Sequence, residues 1–196
     1  CCLVFDSEDA MKPGNFEFAR QAASKYTFWR DNARHGQAPF EPVLSLFDQA
    51  EAIVAYNGFG FDMRVLAKYY GSGKKAKARR MKHRLKLLDP MVRIAQMLDI
   101  RFQSLNDLLL HNALATKTAS GLEAIRMWEE GRREELEQYC AYDVEALAQL
   151  IFLPALKVYG HGTVPNAVYG IASFLSCQRA MGPVSVEDDW TLVEAF

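Results

Sequence analysis

Cysteine is scarce in this chain: Cys1, Cys2, Cys140 and Cys177 are the only four in 196 residues. No two of them stand in a C-x-x-C or other zinc-like spacing, which excludes a disulfide scaffold and gives no case for a cysteine zinc site. Free thiols in a reducing, intracellular compartment (cytoplasm, nucleoid or nucleus) are the simplest reading. No apolar run is long enough to span a bilayer, and no signal peptide is visible, so a membrane protein is not expected. Neither sign of charge dominates: 23 Lys and Arg face 24 Asp and Glu, for a net −1. Overall charge therefore makes no case for nucleic-acid binding. His35, His83, His111 and His161 have no mutual metal-ligand spacing, the serines form no nucleophile elbow, and no internal repeat is present. The chain opens at Cys1 within an apolar run rather than at methionine, as an excerpt of a longer protein would.

What the chain has is a hydrophobic half, enough for one sizeable core. CLVFD (2–6) reads as a short strand ending in acids. FEFARQ and SKYTFW hint at two more strands, and DNARHGQAPFEP reads as loop. VLSLFDQAEA (43–52) has helical spacing, IVAYN (53–57) is a second buried strand, and DMRVLAKYYG (62–71) is a helix closed by Gly71. Residues 74–86, KKAKARRMKHRLK, hold eight of the 23 basic residues and read as an exposed loop. Pro90 opens a helix through MVRIAQML. Ser104 caps LNDLLL, Ser120 and Glu123 form a capping box, and Gly131 ends that helix. One amphipathic helix then runs from Arg132 to about Leu153. Residues 1–153 are expected to form the domain, with 154–196 as an extension packed on it. Strands mixed with helices indicate an α/β class.

Three short motifs carry chemistry. In Asp6-Ser7-Glu8, alternation along a strand aims both carboxylates at one side. In Asn57-Gly58-Phe59-Gly60-Phe61-Asp62, a buried strand turns into a helix whose first turn favours the Asp62 carboxylate. In Tyr139-Cys140-Ala141-Tyr142-Asp143, four-residue spacing puts Tyr139 and Asp143 on one helix face. Each motif alone has an ordinary structural reading: a polar strand end, a helix N-terminal acid, and an aromatic beside a solvated acid. Glu137 and Glu145 are expected to be solvated acids of that kind, and Trp29, Trp128 and Trp190 packing residues.

The order D-x-E, N-x-x-x-F-D, Y-x-x-x-D resembles the DEDD (DnaQ-like) exonuclease superfamily. SLNDLL, Lys117 and the run from Gly121 to Leu147 are similar to it as well. The tyrosine matches the DEDDy branch, because the histidine branch would need His where Gln138 stands. The position after Glu8, often a small hydroxyl residue in that family, is Asp9. The resemblance covers about residues 2–153 and implies a ribonuclease H-like fold, with a mixed central β-sheet flanked by α-helices. It implies that Asp6, Glu8, Asp62 and Asp143 hold two divalent cations, Mg²⁺ or Mn²⁺, and that Tyr139 hydrogen-bonds the attacking water. Oxygen ligands suit such ions, and four clustered carboxylates need the positive charge.

The implied activity is 3′→5′ exonucleolytic hydrolysis of a single-stranded 3′ end, releasing nucleoside 5′-monophosphates. DNA is favoured over RNA, and the setting is a larger replication or repair protein. RNA 3′-end trimming, and a catalytically silent binding module of a polymerase or helicase, are the alternatives; silent modules usually lose an acid, and none is lost here. Asn57 and Phe59, with Lys74, Lys75, Arg79 and Arg80 of the basic segment, are the candidate nucleic-acid contacts.

Overall fold

The computed structural model describes residues 2–5, 12–14, 16–29, 40–114 and 121–181. Asp6, Glu8, Asp9, Lys117, Ser120 and Trp190 lie outside them. The chain folds as an α/β protein, and the described strands pair in three separate two-stranded sheets, two antiparallel and one parallel, among helices, rather than in one mixed central sheet. Strand β1 (Cys2–Val4) pairs antiparallel with β2 (Ser24–Tyr26), in the register Cys2 to Tyr26 and Val4 to Ser24. Helix α1 (Phe16–Ala22) joins them. The alternation of FEFARQ suggests a strand, but Phe16 and Ala19 share a helical face. Ala19 is fully buried, and Phe16 packs edge-on against Phe152 with ring centres 5.8 Å apart. In so short a stretch the burial of one face, not the alternation, decides the state.

Helix α2 (Glu41–Gln49) leads to β3 (Ile53–Val54), which pairs parallel with β4 (Leu87–Leu88). The crossover between these strands is helical, as a parallel pair requires. It consists of α3 (Asp62–Ala67) and α4 (Lys74–Leu85). The basic segment is thus a helix and not the exposed loop its charge suggests. Lys, Arg, Ala, Met and Leu are all strong helix formers, and one face of α4 is anchored by acids of α2. Arg79 bonds Glu41 at 2.8 Å and Asp48 at 2.7 Å, and the fully buried His83 sits 2.8 Å from both Asp48 and the Tyr70 hydroxyl. Lys86 donates to the carbonyls of Phe47 and Asp48.

Helices α5 (Pro90–Leu98), α6 (Leu105–His111) and α7 (Gly121–Glu129) follow. Pro90 begins α5, and Ser104 accepts the Asp107 N–H at the start of α6, both as the sequence indicates. The long helix α8 (Arg133–Phe152) crosses the molecule. Beyond it, β5 (Ala155–Val158) and β6 (Gly162–Pro165) form a hairpin, followed by α9 (Asn166–Tyr169) and α10 (Ile171–Met181). The hairpin is not visible in the Gly/Pro-rich sequence. Its residues Leu156, Val158 and Val164 join Ile94, Leu105, Leu108, Leu109, Ala146, Leu150 and Tyr169 in the largest core cluster. Asn166 donates to the carbonyls of Ile151 and Leu153, and Tyr169 to Leu153, satisfying the C-terminal end of α8.

Candidate active site

The turn carrying Asp62 is shaped residue by residue. Asn57 takes the left-handed conformation at φ 59°, which Asn tolerates better than most side chains. A methyl group on Gly58 would lie 2.7 Å from Ala55 Cβ and 3.2 Å from Leu87, so only glycine lets the turn lie on β3 and β4. Phe59 packs against the cluster of Ile53, Met63 and Leu87, with the Arg84 guanidinium over its ring at 5.7 Å. Phe59 is therefore largely a packing residue, with one face under an arginine.

Asp89 holds this turn in place. It is 3 % exposed, and its carboxylate accepts the N–H groups of Asn57 at 3.0 Å, Phe59 at 3.2 Å and Met91 at 3.2 Å. One side chain thus caps α5 and fixes the turn from which Asp62 projects. Burial raises the Asp89 pKa, and the backbone donors oppose that rise. Asp62 keeps part of its surface in solvent, yet crowding by protein atoms raises its pKa, and the nearby Asp89 charge adds to the rise. No Lys, Arg or His among the described residues forms an ion pair with Asp62. A backbone hydrogen bond and the positive chain terminus oppose the rise only in part, and a bound cation would favour the ionised form further.

On α8, Tyr139 and Asp143 interact as the four-residue spacing requires. Burial and the Asp143 carboxylate push the Tyr139 pKa up to about 12, so the hydroxyl keeps its proton at neutral pH. Both residues are half-buried. Glu145, on the next turn, is not merely solvated: it pairs with Arg20 at 3.8 Å and Lys25 at 3.5 Å, tying α8 to α1 and β2. Glu137 lines a small hollow with Thr27, Phe28, Trp29, Leu136 and Cys140. Trp29 and Trp128 stack 6.2 Å apart with Arg133 over both rings, while Trp128 remains half exposed to solvent.

The residues leading into the three motifs pack on two core clusters that Leu147 touches in common. Phe5, Val54 and Leu147 pack against the cluster formed by Ala19, Leu88, Ile151, Phe152 and Ile171. Tyr56, Tyr142 and, again, Leu147 pack against the largest cluster. The end of β1, the start of the 57–62 turn and the Asp143 turn of α8 are thus anchored in two adjoining patches of core bridged by Leu147.

A family model described as the RNase_H superfamily matches residues 8–153. The chain belongs to the ribonuclease H superfamily. No curated protein and no solved structure matches the chain. Superfamily membership supports a nuclease-type hydrolase that binds nucleic acid, and it covers Glu8, Asp62, Tyr139 and Asp143; Asp6 lies just outside the matched span. Among the described residues, no three His, Cys, Asp or Glu side chains gather as a metal site. The described part contributes Asp62 and Asp143, and Asp6 and Glu8 lie outside it.

The candidate nucleic-acid contacts divide. The Asn57 and Phe59 backbones are tied to Asp89. Arg79 is turned inward onto Glu41 and Asp48, whereas Lys74 and Lys75 are exposed in the first turn of α4 and Arg80 is half-buried. Asp89 was not singled out by sequence reasoning. The signal was available: an acid directly before Pro90 is a typical N-cap.

Proposed function

We propose that this ribonuclease H-superfamily chain is a metal-dependent 3′→5′ exonuclease of the DEDDy kind, acting on a single-stranded 3′ end, with DNA as the favoured substrate. The observation that carries the reading is the anchoring of the three motif-bearing segments in two core clusters joined at Leu147: Phe5, before Asp6, lies on one, and Tyr56, before the turn to Asp62, and Tyr142, before Asp143, lie on the other.

The residues fit the cations such a reaction uses. Asp6, Glu8, Asp62 and Asp143 are all hard oxygen donors, and Asp62 has no cationic partner among the described residues. Two Mg²⁺ or Mn²⁺ ions bound to them would neutralise the carboxylates and lower the pKa of a water molecule. Tyr139 keeps its proton and sits beside Asp143, where its hydroxyl can orient the attacking water towards the terminal phosphodiester. Asp89 holds the turn so that Asp62 stays in position during turnover.

The test is a degradation assay with 5′-labelled single-stranded DNA and RNA in parallel, each with Mg²⁺, Mn²⁺ or EDTA. The expected result is a 3′-shortening ladder on DNA that EDTA abolishes. A ladder on RNA alone would reassign the substrate, and tight binding without cleavage would sink the enzymatic reading.

A further inference from the structure

Helix α8 has a second functional-looking side next to the one that carries Tyr139 and Asp143. Arg133, Leu136, Glu137 and Cys140 stand at i, i+3, i+4 and i+7, so they line one side of the helix. Tyr139 and Asp143 come three residues after Leu136 and Cys140, which sets them on the bordering side. Leu136, Glu137 and Cys140 form one wall of the small hollow, and Thr27, Phe28 and Trp29, directly after β2, form the other. Towards the start of α8, Trp29 stacks on Trp128 of α7 with the ring planes 17° apart. The Arg133 guanidinium lies 5.6 Å and 5.5 Å from the two ring centres. Arg132 braces the corner between α7 and α8, bonding Glu130 at 3.0 Å and Glu135 at 2.7 Å and reaching Glu123 at 3.5 Å. Trp128 is thus held in place, yet it is 51 % exposed. Leaving so much apolar ring surface in water opposes the hydrophobic preference for burial. The corner is not basic, because Glu129, Glu130, Glu134 and Glu135 flank the two arginines. It suits a flat aromatic partner better than a phosphate.

We propose that Trp128, backed by Trp29 and Arg133, is a stacking platform for a nucleobase of the bound single strand, with the hollow between it and the side of α8 that carries Tyr139 and Asp143. Asp143 lies ten residues after Arg133, about 15 Å at the helical rise, so the platform holds a base upstream of the 3′-terminal nucleotide. The platform rests on the exonuclease reading for its polarity and deepens it by naming what grips the strand away from the cut. Every base has a π face, so stacking accepts any sequence, as the removal of successive nucleotides requires. A ring already fixed by its neighbours loses little freedom when a base settles on it. Leu122 and Ile125, earlier on α7, are exposed as well, but neither belongs to the stack or to the hollow. Continuity with the candidate active site favours a nucleic-acid strand over a protein partner on this face.

The experiment is fluorescence anisotropy in EDTA with two labelled single strands of equal length and charge, a short DNA oligonucleotide and its abasic counterpart, which keeps the sugar-phosphate backbone and lacks the bases. The wild-type chain should bind the base-bearing strand more tightly, a comparison that needs no variant and so no assumption about folding. Trp128→Ala should weaken binding of that strand about fivefold to a hundredfold, the range for losing one stacked base, and leave the abasic strand unaffected. Trp128→Phe keeps a ring and should retain most of the preference. The slope of log K against log salt should be the same in wild type and Trp128→Ala, because stacking releases no counterions. Equal binding of the two strands by the wild-type chain would overturn the platform, and so would binding of neither. An equal loss on both strands in Trp128→Ala would mark a structural role, and a lowered salt slope a phosphate contact; either would overturn it. Altered sedimentation of Trp128→Ala with the base preference intact would assign the face to contact between protein chains and overturn it too. Binding is measured without cleavage, so these outcomes are separable from failure of the exonuclease reading. A chain that prefers bases but never shortens a 3′ end keeps the platform and loses the enzyme.

Discussion

Tyr139 and Asp143 meet because a helix sets residues four apart side by side. The Asp62 turn meets nothing of its own accord and is held by Asp89, which is 30 residues beyond Phe59 in the chain. The helical half of the site is local and draws its order from 20 residues of α8. The turn half depends on one buried carboxylate receiving three backbone N–H groups. The two halves should therefore fail differently: the helical half by loss of chemistry with the fold intact, the turn half by loss of position as well as stability.

The largest expected effect tests the two acids together. Asp143→Asn and Asp62→Asn should each lower the cleavage rate at least about a hundredfold, the scale of losing one preorganised electrostatic group, with Asp143→Asn leaving the circular dichroism spectrum unchanged. Wild-type rates in either variant would remove that acid from the site.

Asp89→Ala separates the halves. It orphans the N–H groups of Asn57, Phe59 and Met91 and removes the α5 cap, so unfolding in denaturant should come earlier by about 2–3 kcal/mol. The cleavage rate at a temperature where the variant is folded should still fall about a hundredfold, because Asp62 loses its position. A purely structural Asp89 would shift the denaturation midpoint and leave the rate of the folded fraction alone.

Tyr139→Phe should cost less, about tenfold to a hundredfold, since on the proposed mechanism it removes an orienting hydroxyl and leaves the acids. Because the Tyr139 pKa is pushed up to about 12, the wild-type rate should show no loss from tyrosine ionisation up to about pH 10. A fall in rate with an apparent pKa at the ordinary tyrosine value would contradict the burial of the Tyr139 hydroxyl together with its pairing to Asp143.

The smallest effect concerns stability alone. Asp62 has a folded pKa above its unfolded one, so its ionisation opposes folding once the pH exceeds the unfolded value. In metal-free protein, Asp62→Asn should raise Tm at neutral pH, and the gain should vanish as the pH falls below about 4, where the carboxyl is protonated in both states. Added Mg²⁺ should stabilise the wild-type chain and not the variant. A variant less stable than wild type at neutral pH would contradict the raised pKa.

Much of the fold is legible in the chain. Pro90, Ser104 and Gly131 mark helix ends through backbone chemistry that acts within a few residues. Where the structure departed from the sequence pattern, the cause lay outside the segment. Phe16 and Ala19 turn FEFARQA into a helix because that face lies on Phe152. Of IVAYN, Ile53 and Val54 pair with β4 and the Ala55 N–H still reaches the Leu88 carbonyl, before the chain turns at Asn57 towards Asp89. The β5–β6 hairpin has too little alternation to announce itself, and the core it completes lies on helices far away in sequence.

The candidate site divides in the same way. The residue types and spacings that carry chemistry, N-x-x-x-F-D and Y-x-x-x-D, follow from order along the chain, because a turn into a helix and one helical turn are local geometry. The sharing of Asp89 between two segments and the turn of Arg79 and His83 onto the acids of α2 belong to the tertiary structure alone. Eight positive charges in a row look alike in sequence. Only the acids that α2 brings to one side of α4 single out Arg79 as a residue that serves the fold.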